Sequence, residues 1–175
     1  MWIKFNLEEM ILELKIENYE PNQTLDGSWT KVSFNFKFEN IINYSTQNNE
    51  ILLCCEIDEL RDKFFNLLND KLTENVYYSC LEPDFEFILR PKFDVRNNPN
   101  LIYVKPGNEI IDIDMELRVN LWNNGLTCNY FSTSFYREEI NNLYLYFSLI
   151  SNKISLNDEK IKKLIDLGII YRDTK

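Results

Sequence analysis

Met10-Ile11-Leu12-Glu13-Leu14-Lys15-Ile16-Glu17, followed after a polar interval by Trp29-Thr30-Lys31-Val32-Ser33-Phe34-Asn35-Phe36-Lys37-Phe38, decides the fold class. Successive side chains of a strand point to opposite faces, so Leu12, Leu14 and Ile16 share one side and Glu13, Lys15 and Glu17 the other. In the second stretch Val32, Phe34, Phe36 and Phe38 alternate with Ser33, Asn35 and Lys37. Two half-buried strands joined through a turn at 22–27 predict an antiparallel hairpin.

Working outward, an Asn-rich loop precedes a short apolar strand at 51–55. The period then changes. Leu60, Phe64, Leu67 and Leu68 recur at helical spacing while Arg61, Asp62, Asn66 and Asp70 face water, which predicts a helix over 58–72. Asp58 and Glu59 fall in its first turn, where carboxylates suit the helix dipole. Strands follow at 76–81 and 84–89, the second alternating Phe85, Phe87 and Leu89 with Asp84, Glu86 and Arg90. A long loop or irregular edge covers 93–108. The stretches 110–121 and 126–134 then form a hairpin about Asn123-Asn124-Gly125, Asn-Gly being a favoured tight-turn dipeptide.

The C-terminal part reads as helical. Ser134 is placed to cap a helix over 137–153 whose inner stripe is Ile140, Leu143, Phe147 and Ile150. Ser155 with Asp158 resembles a capping box opening a short helix closed by Gly168. Consecutive strands with short turns give an α+β fold: a mainly antiparallel sheet of about six to eight strands, one helix mid-chain, and helices at the C-terminus. The 175 residues fit a single domain, 1–175, with its core at about 10–150 and a helical extension at 152–175.

Composition narrows the function classes. The chain is 45% hydrophobic and 27% charged, which is globular, and its net charge is −9. Such acidity disfavours nucleic acid and membrane surfaces and makes a basic protein the electrostatically natural partner. Alanine is absent, and heavy use of Asn, Ile, Lys, Phe and Tyr points to an AT-rich, low-GC bacterial genome. The opening residues run into Glu8 and Glu9 with no apolar core of signal-peptide length, and the apolar stretch 143–150 is too short to cross a bilayer. A cytoplasmic location is the expectation. Cys54, Cys55, Cys80 and Cys128 lie in apolar runs without a Cys-x-x-Cys pair, so buried thiols are expected.

No histidine is present, which removes the common general base and imidazole metal ligand. No glycine-rich phosphate loop exists either. No catalytic residue, metal ligand or cofactor is assigned. Cys54 and Cys55 have no evident base, and Glu50 and Glu56 beside them would raise a thiol pKa. The carboxylates are more informative. Along Asp112-Ile113-Asp114-Met115-Glu116-Leu117-Arg118 the charged residues share one strand face, and Asp84 and Glu86 extend the stripe if their strand lies alongside. Three readings stay open: a solvated sheet face, a docking surface for a basic protein, or a cation or catalytic site. A straight strand spreads oxygens that a Ca²⁺ site gathers from a curved loop. Tyr77, Tyr78, Tyr130, Phe131, Tyr136, Tyr144 and Tyr146 divide between core and surface in a way the spacing leaves undetermined.

The order of elements carries a resemblance. Leu25-Asp26-Gly27-Ser28-Trp29 opens a long strand, and Cys55-Glu56-Ile57-Asp58-Glu59-Leu60 starts a helix. Then come Cys80-Leu81-Glu82-Pro83-Asp84-Phe85-Glu86-Phe87 and the hairpin of 115–131. Across about residues 10–150 this resembles the immunity proteins of the wall-associated toxin (WapI) type, from bacteria with polymorphic toxins. The resemblance implies a cytoplasmic antitoxin, not an enzyme, that binds and blocks a cognate toxin domain. With the charge, it makes Asp84, Glu86, Asp112, Asp114 and Glu116 the candidate partner-binding residues and a basic toxin domain the candidate partner. Two rival readings remain, a small enzyme or ligand-binding domain with a carboxylate-lined pocket and an oligomerisation module.

Overall fold

The computed structural model describes residues 1–7, 10–21, 28–122 and 125–172. In chain order these form β1 (Trp2–Leu7), β2 (Met10–Glu17), β3 (Trp29–Phe38), β4 (Ile42–Leu53), α1 (Cys54–Leu68), β5 (Val76–Ser79) and β6 (Phe85–Arg90). There follow β7 (Phe93–Asp94), a 3-10 turn at Val95–Asn97, β8 (Ile110–Ile111), β9 (Asp114–Trp122) and β10 (Leu126–Tyr136). The last elements are α2 (Arg137–Ile150), α3 (Glu159–Asp166) and β11 (Ile170–Tyr171). The fold is α+β, with antiparallel strand pairs, one helix mid-chain and two toward the C-terminus. The turns expected at 22–27 and at Asn123-Asn124 lie outside the described residues.

The chain divides into two compact units. The first takes described residues of Met1–Asp62, Cys80–Glu82 and Asn142–Lys175, and its sheet has the order β11-β1-β2-β3-β4. The predicted hairpin forms with Leu12 opposite Phe36, Leu14 opposite Phe34 and Ile16 opposite Val32. That register gathers the apolar side chains on one face, and all six are buried. β4 is longer than the strand read at 51–55. Its polar half runs alongside β3, Tyr44 opposite Phe36, because an edge strand is held by backbone pairing and needs no apolar alternation.

The second unit takes Lys63–Ser79 and Pro83–Asn141. Its four-stranded sheet has the order β10-β9-β6-β5, and β7 pairs with β8 in a small separate ribbon. Phe85, Phe87, Leu89, Met115, Leu117, Val119 and Phe135 are buried along one face of the larger sheet. Phe64 of α1 meets Phe87 edge-on, ring centroids 5.9 Å apart.

The helix limits correct several expectations. α1 begins at Cys54, so Cys54 and Cys55 lie in its first turn and not in a strand. Cys54 and Cys80 are buried, whereas Cys55 and Cys128 are exposed. Ser134 is still inside β10; the N–H of Tyr136 is accepted by the Glu139 carboxylate at 3.0 Å, which makes Tyr136 the cap of α2. Asp158 and not Ser155 caps α3, accepting from the Lys160 N–H at 2.9 Å. Among the described residues, α1, α2 and α3 stop by one device: a left-handed residue after the last turn, with the next N–H returning to a carbonyl five residues back. Gly168 serves α3, with Ile169 N–H to Leu164 carbonyl at 2.9 Å. Asp70 ends α1 and Asn152 ends α2 in the same way, which is why those helices stop short of 72 and 153.

Candidate binding face of the four-stranded sheet

The second unit's sheet buries one face and leaves the other open, and the register decides what stands there. Between β6 and β9, Glu86 lies opposite Arg118, Ile88 opposite Glu116 and Arg90 opposite Asp114. β10 sets Tyr136 beside Asp114, Ser134 beside Glu116, Ser132 beside Arg118 and Tyr130 beside Asn120. β5 adds Tyr77 opposite Ile88. Residues opposite one another in antiparallel strands share a face, so these side chains form one surface.

The predicted carboxylate stripe is therefore interleaved with guanidinium groups. Arg90 reaches Asp114 at 2.7 Å and Glu116 at 2.5 Å. Arg118 donates to Glu116 at 2.7 Å, lies 3.9 Å from Glu86, and stacks over the Tyr130 ring at 5.5 Å. Three carboxylates against two guanidiniums leave this lattice one negative charge in surplus. The hydrogen bonds from Arg118 and Arg90 hold the Glu116 carboxyl below its ordinary range. A carboxylate held ionised in this way carries no proton at neutral pH, which is what a general acid would need.

Around the lattice stand large exposed rings. Tyr77, Tyr130 and Tyr136 are 73%, 54% and 66% exposed, and Trp122 at the end of β9 is also open. Ile88 is buried among its charged neighbours on this same face. Tyrosine, tryptophan and arginine are the residue types that most often carry binding energy between proteins. Sequence reasoning placed Glu86, Asp114 and Glu116 together, and the structure does too. It missed Arg90 and Arg118 as their partners, although both fall at the same period of two. Only the register reveals that they lie across from the acids. Of the other aromatics, Tyr146 is fully buried.

The other two predicted residues lie just outside the strands, Asp84 across from Asn120 and Asp112 on the approach to β9. Asp84 precedes β6, where its carbonyl accepts from the Asn120 N–H at 3.0 Å. Asp112 lies before β9 begins, where Arg137 grips it with two bonds of 2.8 and 2.7 Å. Arg137 also donates to the Leu68 carbonyl at 3.0 Å and contacts Asp70 at 3.3 Å, so it ties the end of α1 to the approach of β9. The Arg137 hydrogen bond lowers the Asp112 carboxyl from 3.8 to about 2. In Arg137→Gln the Asp112 carboxyl should titrate close to its ordinary range, as followed by side-chain NMR; an unmoved titration would show that Arg137 is not the cause.

A hollow of about 900 Å³ in the first unit is lined by Leu149, Ile150, Lys153, Ile154 and Leu156 among others, and no carboxylate lines it. It therefore lacks the converging acids that a carboxylate-lined pocket would need. Among the described residues no group of three or more acidic or thiol side chains is placed to hold a metal ion.

The model of the immunity protein WapI-like family matches residues 3–145 of the chain. No curated protein matches it.

Proposed function

From membership of the WapI-like immunity protein family, to which this chain belongs, we propose that it neutralises a cognate toxin domain by docking on the open face of the four-stranded sheet. The observation that carries this reading is the ring of exposed Tyr77, Tyr130, Tyr136 and Trp122 around the arginine–carboxylate lattice. The proposed partner is basic. The chain's net charge of −9 attracts it over distance, while the nearly compensated lattice provides short-range matching. On this reading charge acts mainly on the rate of encounter, and the rings hold the complex together. The work is done in the cytoplasm of the producing cell.

The test pairs the chain with the toxin domain encoded beside it. Co-expression should protect cells from that toxin. Replacing Tyr77, Tyr130 and Tyr136 by alanine should weaken the complex by about a hundredfold or more, through faster dissociation, with the circular dichroism unchanged. Raising the salt concentration should slow association and leave dissociation nearly constant. If the alanine variant, and a second with Glu86, Asp114 and Glu116 changed to lysine, both bind and protect as the native chain does, this face is not the docking site.

A further inference from the structure

The register of β6 against β9 continues past the end of their sheet. Arg90 lies opposite Asp114, and after two intervening positions on each strand Phe93 lies opposite Ile111 and Asp94 opposite Ile110. Three steps on one strand answer three on the other, so β7 and β8 resume the pairing of β6 and β9 with no residue gained or lost. The flanking strands do not follow. β5 reaches only to Val76, opposite Leu89, and β10 ends with Tyr136 beside Asp114. Among the described residues, β7 and β8 pair only with each other. The second unit therefore carries a two-stranded arm that leaves the end of the four-stranded sheet as a continuation of its two central strands.

The arm is apolar where a projecting element is ordinarily polar. Phe93, Ile110 and Ile111 are exposed along it, and Leu101, Ile102 and Tyr103 are exposed at its tip, Ile102 completely. Its base is tied by the Val95 N–H, which donates to the Glu109 carbonyl at 2.8 Å. The tip is shaped by the Leu101 N–H on the Asn98 carbonyl at 3.1 Å and the Asn108 N–H on the Lys105 carbonyl at 3.0 Å. Most of its charges are used within it. Arg96 pairs with Asp94 at 2.6 Å, and the Glu109 carboxylate accepts from the Gly107 N–H at 2.8 Å. Apolar side chains held in water on a hydrogen-bonded loop gain when another surface covers them, and such a loop loses little freedom in the process.

We propose that this arm clasps the flank of the toxin domain that docks on the open face, with Leu101, Ile102 and Tyr103 seated in an apolar hollow of that domain. The inference rests on the reading of the open face as the docking site. Continuity assigns the occupant: a body seated on Arg90, Asp114 and the Tyr136 ring reaches the end of the sheet, where the arm begins. Charge separates that occupant from a second copy of the chain. Apolar surface accepts either, but two chains of net charge −9 repel, whereas a basic domain is drawn in. The arm itself adds fit rather than attraction, because its own charges nearly cancel: Lys92, Arg96 and Lys105 stand against Asp94 and Glu109. Its contribution therefore falls on dissociation, and that of the net charge on encounter.

Two full-length variants test this, one with Leu101→Ala, Ile102→Ala and Tyr103→Ala together and one with Ile102→Asp alone. Both replace exposed side chains, so the circular dichroism should match that of the native chain. Against the toxin domain encoded beside the chain, each should dissociate about tenfold faster or more in surface plasmon resonance. The association rate and its salt dependence should stay as they are. Amides over 101–104 should gain exchange protection when the toxin domain is added to the native chain. The Tyr77→Ala, Tyr130→Ala, Tyr136→Ala chain is measured in parallel. Arm variants that dissociate as the native chain does overturn the arm's role, and the face reading stands if the tyrosine variant is still weakened. Weakening by the arm variants alone overturns the face reading and, with it, the continuity that assigns the arm's occupant. The proposal is also overturned if the native chain dimerises without toxin between about 1 and 200 μM and Ile102→Asp abolishes that dimer, since the arm then serves a second copy.

Discussion

Tyr146→Phe should destabilise the protein by about 2–3 kcal/mol, although it removes a single oxygen atom. Tyr146 is fully buried in the first unit, and its hydroxyl makes two bonds there. It accepts from the Ile16 N–H at 3.0 Å and donates to the Met1 carbonyl at 2.8 Å. Phenylalanine fills the same space but leaves the Ile16 N–H in the interior without this acceptor, so the full desolvation cost of a buried donor appears. Urea unfolding should show a lower midpoint with an unchanged slope, and thermal unfolding a fall of about 5–10 °C. A loss below about 0.5 kcal/mol would mean that water replaces the hydroxyl and the site is not dry. A pH dependence follows as well. Burial raises the Tyr146 pKa above its ordinary 10, so the unfolded chain loses this proton first. The contribution is complete below pH 10 and declines as pH rises beyond it. Tyr146→Phe should lack that part of the alkaline decline.

Glu56→Ala should cost more, about 3–4 kcal/mol. Glu56 is buried at the start of α1, and each carboxylate oxygen has its own task. One accepts from the Leu53 N–H at 2.8 Å, closing the first turn of the helix as the returning half of a capping box. The other accepts from the Leu81 N–H at 2.6 Å, 25 positions along the chain. Bonds to a charged acceptor are worth about 1.5–3 kcal/mol each, and alanine abandons both donors. Glu56→Gln keeps one acceptor oxygen and turns an amide N–H toward the other donor, so its loss should be smaller, about 1–2 kcal/mol. Hydrogen exchange separates the two tasks: the Leu53 and Leu81 amides should both lose protection in the alanine variant, and equal losses in both variants would assign the effect to packing.

The two predictions rest on residues that the sequence showed only in part. Tyr146 falls one position before the inner stripe residue Phe147 and reads as core or core edge, but its two partners are Ile16 of β2 and Met1 just ahead of β1, 130 and 145 positions away. Glu56 reads as one acid among many near a helix start. The same holds at the candidate binding face. Glu86, Asp114 and Glu116 were legible from period-two alternation, because a strand fixes which residues share a side. Asp112 obeys the same alternation but lies beyond the end of β9, where Arg137 takes it.

Some features are local and were readable as such. Alternation in Met10–Glu17 and Trp29–Phe38 placed six buried side chains and a hairpin, since both follow from backbone geometry and the exclusion of apolar surface from water. The change to helical spacing marked α1, and the lack of histidine and phosphate loops turned attention from catalysis to binding. Strand register, by contrast, is a long-range property. It decided that Arg90 and Arg118 stand across from the acids, so that an apparent negative stripe became an almost compensated lattice rimmed by tyrosines. It also decided that an uncharged strand stands at the edge of its sheet. The amino-acid sequence by itself determined the α+β class, the alternating faces and the net charge, because these depend on neighbouring residues and on sums. Only the tertiary structure decided which charges meet and which strand ends the sheet, because those depend on which strands the backbone hydrogen bonds bring side by side.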